Sequence, residues 1–258
     1  MTDVVVTGIG VVAPNGWGVA EYWDATLAGR SGLGPLTRFD STGYRAHVAG
    51  EVNFTPEEHL PGRLLPQTDH MTRLALVAAE EALADAGADP TTMPDFSAGV
   101  VTAASAGGFE FGQKELQALW SKGPAYVSAY QSFAWFYPVN TGQISIRHGM
   151  RGPGSALVAE QDRAEAEVLG AVFGPRGVPV TAPKTMTGRL LAGGAPLDVA
   201  AALLSLRDGV IPPSVHIGQP AHPDLDLVRD RPRPARLGSA LVLARGHGGF
   251  NSALVLTS

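Results

Sequence analysis

The sequence contains no cysteine. That absence removes disulfides, thiolate metal ligands and any thioester-forming nucleophile. Charge is also sparse: charged residues are 17% of the 258, with 19 Lys and Arg against 24 Asp and Glu and a formal net charge of -5. No basic run occurs, which argues against nucleic acid and anionic membrane as partners. No apolar run approaches the roughly 18 residues of a membrane span. The opening Met1-Thr2-Asp3-Val4 lacks the charged-then-apolar layout of a signal peptide. A soluble cytoplasmic protein is therefore expected. The seven histidines, at 47, 59, 70, 148, 216, 222 and 247, are too scattered for metal-ligand spacing, so no metal is expected.

What is present is core material: 45% of the chain is hydrophobic, enough at this length for one large domain or two small ones. Residues 4–7, Val-Val-Val-Thr, predict a buried first strand turned over at Gly8-Ile9-Gly10. Gly8, Gly10 and Ala13 also satisfy G-x-G-x-x-A, the spacing of a dinucleotide-binding turn. Such a turn must open a helix aimed at a pyrophosphate, and Pro14-Asn15-Gly16 interrupts the chain where that helix should run. A helix is expected later, over 19–27, with Tyr22 and Trp23 buried. The clearest helical period lies over 71–86, where Leu74, Val77, Ala78, Ala82 and Leu83 recur at three- and four-residue spacing before Gly87. A strand at 99–102 and an amphipathic helix over 109–120 follow. This β-α-β order implies a layered α/β protein.

Residues 126–137 concentrate Tyr130, Phe133, Trp135, Phe136 and Tyr137 in a chain with only 7% aromatics. They suit either core packing or an interface or tunnel lining, with an apolar strand expected after them. Beyond Gln161 the pattern predicts an acidic helix over 162–173, a strand over 178–181 and an apolar helix over 197–206 ending near Gly209. Proline-punctuated loops at 211–213 and 220–234 lead to a C-terminal hairpin of strands 239–244 and 252–256.

Several longer stretches carry a family resemblance. Val5-Val6-Thr7-Gly8-Ile9-Gly10-Val11-Val12-Ala13-Pro14-Asn15-Gly16, Tyr130-Gln131-Ser132-Phe133-Ala134-Trp135-Phe136-Tyr137 continued to Pro153, residues 178–189 and residues 246–251 resemble the chain length factor. This is the ketosynthase-like β subunit of bacterial type II aromatic polyketide synthases. The run Gly152-Pro153-Gly154-Ser155-Ala156-Leu157-Val158-Ala159-Glu160-Gln161 looks like the family's version of the turn that delivers the cysteine nucleophile in active ketosynthases. An amide there cannot form a thioester.

The resemblance implies a thiolase-like fold, layered α/β/α/β/α. Residues 1–161 would be its N-terminal half, ending at the glutamine-bearing elbow, and 162–258 the remnant of the second half. Family members run to roughly 400 residues, and the shortfall here falls between Gln161 and Asp162. The fold is therefore expected to be incomplete, with central strands absent. The implied role is a non-condensing subunit of an acyltransferase complex. It would pair with a ketosynthase α subunit, meet a phosphopantetheine-bearing acyl carrier protein, bind no cofactor directly and enclose a malonyl-derived polyketide chain in antibiotic or spore pigment biosynthesis.

Residue by residue, Gln161 stands at the nucleophile position, with a suggested part in malonyl decarboxylation. Lys184 stands at the family's retained lysine, and Arg189 where a histidine would be; a guanidinium cannot replace a neutral imidazole. Gly246-His247-Gly248-Gly249-Phe250-Asn251 resembles the oxyanion turn, leaving His247 and Phe250 at vestigial active-site positions. Phe109, Gly112 and Leu116, after the Gly107-Gly108 turn, match the positions that plug the far end of the acyl tunnel, and their spacing puts them on one helix face. Octaketide-type members carry bulkier residues at the last two positions, so Gly112 and Leu116, being smaller, imply a decaketide to dodecaketide product. Two alternatives stay open: an autonomous malonyl decarboxylase using Gln161 or a nucleotide-dependent enzyme using the Gly8 turn, and a non-functional truncated remnant.

Overall fold

The computed structural model describes residues 4–103, 107–134, 139–157, 169, 171–188, 190, 193–220, 222–245 and 251–258. In chain order these form β1 (Val12–Ala13), β2 (Gly16–Trp17), α1 (Gly18–Leu27), β3 (Leu33–Pro35), β4 (Val48–Gly50), α2 (Pro56–His59), α3 (His70–Asp85) and β5 (Val100–Ala103). Then come α4 (Phe109–Lys122), α5 (Gln131–Ala134), α6 (Val139–His148), β6 (Gly154–Leu157), β7 (Pro179–Val180), a helical turn at Lys184–Thr187 and a long helix at Gly194–Asp208. The chain closes with β8 (Val210–Ile211), β9 (Asp226–Leu227), β10 (Arg233–Pro234), β11 (Ser239–Arg245) and β12 (Asn251–Thr257). Two compact units result: residues 1–12 with 54–158, and residues 13–53 with 159–258. Among the described residues the strands pair only two by two.

In the first unit α3 is the organising helix. Asp69 caps it, accepting from the Met71 amide at 3.1 Å, and Thr72, Leu76 and Val77 are its buried positions. Of the apolar positions expected to form its core face, only Val77 is fully buried, and Gly87 ends the helix with a positive φ as expected. The strand expected over 4–7 does not form, and Val4, Val5 and Val6 are 98%, 72% and 55% exposed. A strand exists only as a ladder with a neighbour, and among the described residues none lies alongside.

Gly8 and Gly10 make no turn. They lie against α3, where a Cβ at either would collide with the carbonyl oxygens of Ala82 and Ala78. The amides of Ile9 and Val11 donate to Asp85 at 2.8 Å and Glu81 at 3.3 Å. These glycines thus serve backbone-to-helix approach. No helix opens at them, and α1 starts only at Gly18; the dinucleotide-turn reading is overturned.

β5 and β6 pair in parallel, Val100 opposite Gly154 through Ala103 opposite Leu157. The element that directly follows the aromatic segment is a helix, α6, rather than the expected strand; the strand comes one turn later as β6. Its Val139, Asn140 and Ile144 are buried, the helical spacing winning over the apolar character. A hydroxyl pair, Thr102 with Thr141 at 2.8 Å, ties α6 to β5. Arg147 reaches Glu80 on α3 at 2.6 Å.

In the second unit α1 buries Tyr22 and Trp23 as expected, and the Trp23 indole N–H donates to Asp208 at 2.6 Å. The Gly194–Asp208 helix ends at Gly209 in the left-handed conformation and packs on β11. The expected hairpin forms, with β11 and β12 antiparallel from Ser239 opposite Thr257 to Arg245 opposite Asn251. One turn of it lies outside the described residues, as do most residues of the helix expected over 162–173. The expected strand over 178–181 is β7, parallel to β9. Ser214, fully buried, accepts from the Ala182 amide at 2.8 Å, and the Thr181 hydroxyl donates to the Pro212 carbonyl at 2.6 Å.

Two outcomes follow from the first unit. Asp69 is buried and also accepts from the Phe111 amide of α4 at 2.9 Å, so Asp69→Ala strips a cap from one helix and a charge-assisted bond from another. The expected loss in urea unfolding is about 2–4 kcal/mol, with Asn at 69 recovering part of it. His148 is held below the ordinary imidazole value by burial, and secondarily by Arg147, against the opposing pull of Glu80. Its Nε2 is buried without a hydrogen-bond partner. Since the folded state resists protonation, stability is level above 6.5, the ordinary value. It declines as the pH falls below that toward the lowered folded value. Urea midpoints compared at about pH 5 and about pH 7.5 should show this slope in the parent and a shallower one in His148→Gln.

Candidate functional site

The residues proposed from sequence as tunnel gates converge. α4 starts after Gly108, whose left-handed φ of 52° supplies no side-chain cap. The Asp69 carboxylate takes the role by bonding Phe111. With its start so fixed, α4 presents Phe109, Gly112 and Leu116 along one cavity of about 270 Å³. Gly112 is buried, whereas Phe109 is 65% and Leu116 40% exposed.

Two residues with no role assigned from sequence, Trp120 and Gln131, also line this cavity. Trp120, four positions beyond Leu116, extends the same face and is 77% exposed; continuing the three- and four-residue spacing by one step would have found it. Gln131 comes from a different element, α5, and lines the same space. Its placement follows from the 123–131 segment, in which the Ser128 amide donates to Glu115 of α4. The Gln131 amide in turn donates to the Ser128 carbonyl at 3.1 Å. Gln131 Oε1 is buried with no hydrogen-bond partner. No sequence signal marks that.

Of the aromatic segment, Tyr126 is 64% exposed beneath the Lys122 ammonium, 5.8 Å from its ring centroid. Trp135, Phe136 and Tyr137 lie outside the described residues. Phe109, Trp120 and Tyr126 together leave a large apolar surface open on this unit, as an interface would require.

Lys184 opens the helical turn Lys184–Thr187 and is half-buried. The turn is locked by its neighbours: the Gly32 amide donates to the Met186 carbonyl at 2.8 Å, and the Val215 amide donates to the Thr185 hydroxyl at 2.9 Å. Gln161, Arg189, His247 and Phe250 lie outside the described residues. Among the described residues no group of three or more His, Asp or Glu is placed to hold a metal ion. No described helix is long and apolar enough to cross a membrane.

Helices and strands alternate as in an α/β protein, and solved structures show the fold to be thiolase-like. The chain superposes on the ishigamide ketosynthase/chain length factor with a TM-score of 0.83 at 17% identity, covering 98% of each chain. It superposes on a type II polyketide synthase acyl-carrier protein in complex with its ketosynthase bound to the hexaketide with a TM-score of 0.76 at 16% identity, again covering 98% of each. The beta-ketoacyl synthase N-terminal domain matches residues 1–161 and the C-terminal domain residues 151–218. The tetracenomycin polyketide synthase ketoacyl synthase beta subunit of Streptomyces glaucescens is 43% identical over 400 positions, covering 98% of both chains. The chain belongs to the beta-ketoacyl synthase family, among the ketosynthase-like beta subunits known as chain length factors. Since 400 aligned positions face 258 residues, at least 142 positions of that relative (400 less 258) have no counterpart here.

Proposed function

We propose that this protein is the non-condensing chain length factor of a minimal type II polyketide synthase, paired in the cytoplasm with a ketosynthase α subunit. The partner supplies the cysteine that this chain lacks, and an acyl carrier protein delivers malonyl units on its phosphopantetheine arm. The α4 cavity limits the poly-β-ketone, and Phe109, Gly112 and Leu116 are its gate. What carries this reading is that these three residues line one space. Glycine inside a helix costs about 1 kcal/mol relative to alanine, a penalty understandable where the vacated volume is used. Residues smaller than the octaketide type at 112 and 116 favour a decaketide to dodecaketide. Residues 1–161 form the N-terminal thiolase-like half and 162–258 the remnant of the second, with Lys184, Arg189, His247 and Phe250 at vestigial active-site positions.

The test completes the chain with the corresponding central segment of the tetracenomycin relative between Gln161 and Asp162, pairs it with a ketosynthase and measures product mass. Gly112→Thr with Leu116→Phe should shift the product toward octaketides; an unchanged length removes the gating role. A completed chain that stays monomeric beside its ketosynthase counts against the pairing. Gln161→Ala in the same system should leave condensation intact and slow priming by no more than about tenfold, the upper worth of one hydrogen bond. Loss of all product from an intact heterodimer would instead give Gln161 an indispensable role. The decarboxylase alternative predicts that the chain decarboxylates malonyl carrier protein without a ketosynthase. The remnant alternative predicts that completion restores nothing.

A further inference from the structure

We propose that residues 4–7 are a strand-accepting edge, and that its occupant is a separate polypeptide carrying the central strands that relatives of this chain hold within one chain. This rests on family membership and on the first unit, and it does not require the length-setting role of α4. Four β-branched residues in succession, Val4-Val5-Val6-Thr7, have the makeup of a strand covered on both faces. Neither face is covered. Val4 and Val6, which share one face by the two-residue period, are 98% and 55% exposed, and Val5 on the other is 72% exposed. Among the described residues no backbone hydrogen bond reaches residues 4–7.

Anchorage separates this run from a loose terminus. Directly after it, the amides of Ile9 and Val11 donate to Asp85 and Glu81 of α3 at 2.8 and 3.3 Å, and Gly8 and Gly10 lie so close to α3 that a Cβ would strike its carbonyl oxygens. One end of the run is thus fixed before a partner arrives, which lowers the ordering cost of adding a strand. Free amides and carbonyls on an anchored apolar segment are the template that β-augmentation uses. The occupant must bring a ladder and also apolar cover for two faces. In the tetracenomycin relative at least 142 positions (400 less 258) have no counterpart here, and they fall where the central strands are expected. Val101 of β5, in the same unit, is 69% exposed and would take the same cover. A second copy of this chain brings only the same uncovered run.

The experiment co-expresses the full chain with the central segment of the tetracenomycin relative as a separate polypeptide, fused to a soluble tag, and reads both capture of the chain on the tag and amide hydrogen exchange along it. Capture is expected, with exchange at residues 4–7 slowed by about tenfold or more relative to the chain alone. Successive residues of a strand turn their amides to opposite edges, so Val5→Pro and Val6→Pro each silence one edge. At least one of the two should lose capture, and Val5→Thr, which keeps the amide and the β-branch, should retain it. Both valines are exposed with unbonded amides, so circular dichroism of each variant alone should match the parent. No capture, capture without slower exchange at 4–7, or capture that survives both proline variants overturns the proposal. So does concentration-dependent slowing at 4–7 in the chain alone, which would make a second copy the occupant, or the same slowing by a ketosynthase subunit without the segment. An unchanged product length in the Gly112 and Leu116 variants, with capture intact, would remove length control and leave the strand acceptor in place.

Discussion

One buried carboxylate does the work of two helix caps. Asp69 bonds the Met71 amide to begin α3 and the Phe111 amide to steady α4. Because the residue before α4 is a left-handed glycine with no side-chain acceptor, the first turn of α4 depends on a residue about forty positions earlier. Helix starts are where amides lack partners, so a shared cap fixes the rotation of one helix against the other. The rotation of α4 decides which residues face the cavity. Phe109, Gly112, Leu116 and Trp120 share that face through this constraint and the helical period.

Close backbone approach is the second theme. Gly8 and Gly10 lie on α3, Gly99 and Gly152 bring β5 and the lead into β6 together, and Gly50 meets the Thr187 carbonyl. At these positions any side chain would push elements apart. In a sequence, the G-x-G spacing resembles a phosphate-binding turn; in the structure it accommodates a helix. The difference is what packs on the glycines, which spacing does not encode.

The strand pairs show what a shortened member of this family retains. Two of the pairs, β5 with β6 and β7 with β9, are parallel, an arrangement that usually has both faces covered by other layers. Here Val101 on β5 is 69% exposed, and Leu241 and Val255 of the C-terminal hairpin are 42% and 64% exposed. The relative from Streptomyces glaucescens has at least 142 aligned positions with no counterpart in this chain, from 400 positions against 258 residues. Among the described residues these apolar strand positions are covered only in part.

The sequence alone determined the helices at 18–27, 70–85, 109–122 and 194–208 to within a few residues, and the C-terminal hairpin. It also determined the family and the absence of any thiol. These depend on local periodicity, stop residues and residue identity, which a linear string carries. It misjudged residues 4–7 and the element after the aromatic segment. A strand needs a partner, and a run of Val, Asn, Thr and Ile can serve a helix equally well. Tertiary structure alone decided that Asp69 caps two helices, that Gly8 and Gly10 are packing contacts on α3, and that Gln131 lines the α4 cavity and carries a buried, unmatched acceptor. Each of these depends on atoms brought together across tens of residues, and such proximity is a property of the folded chain.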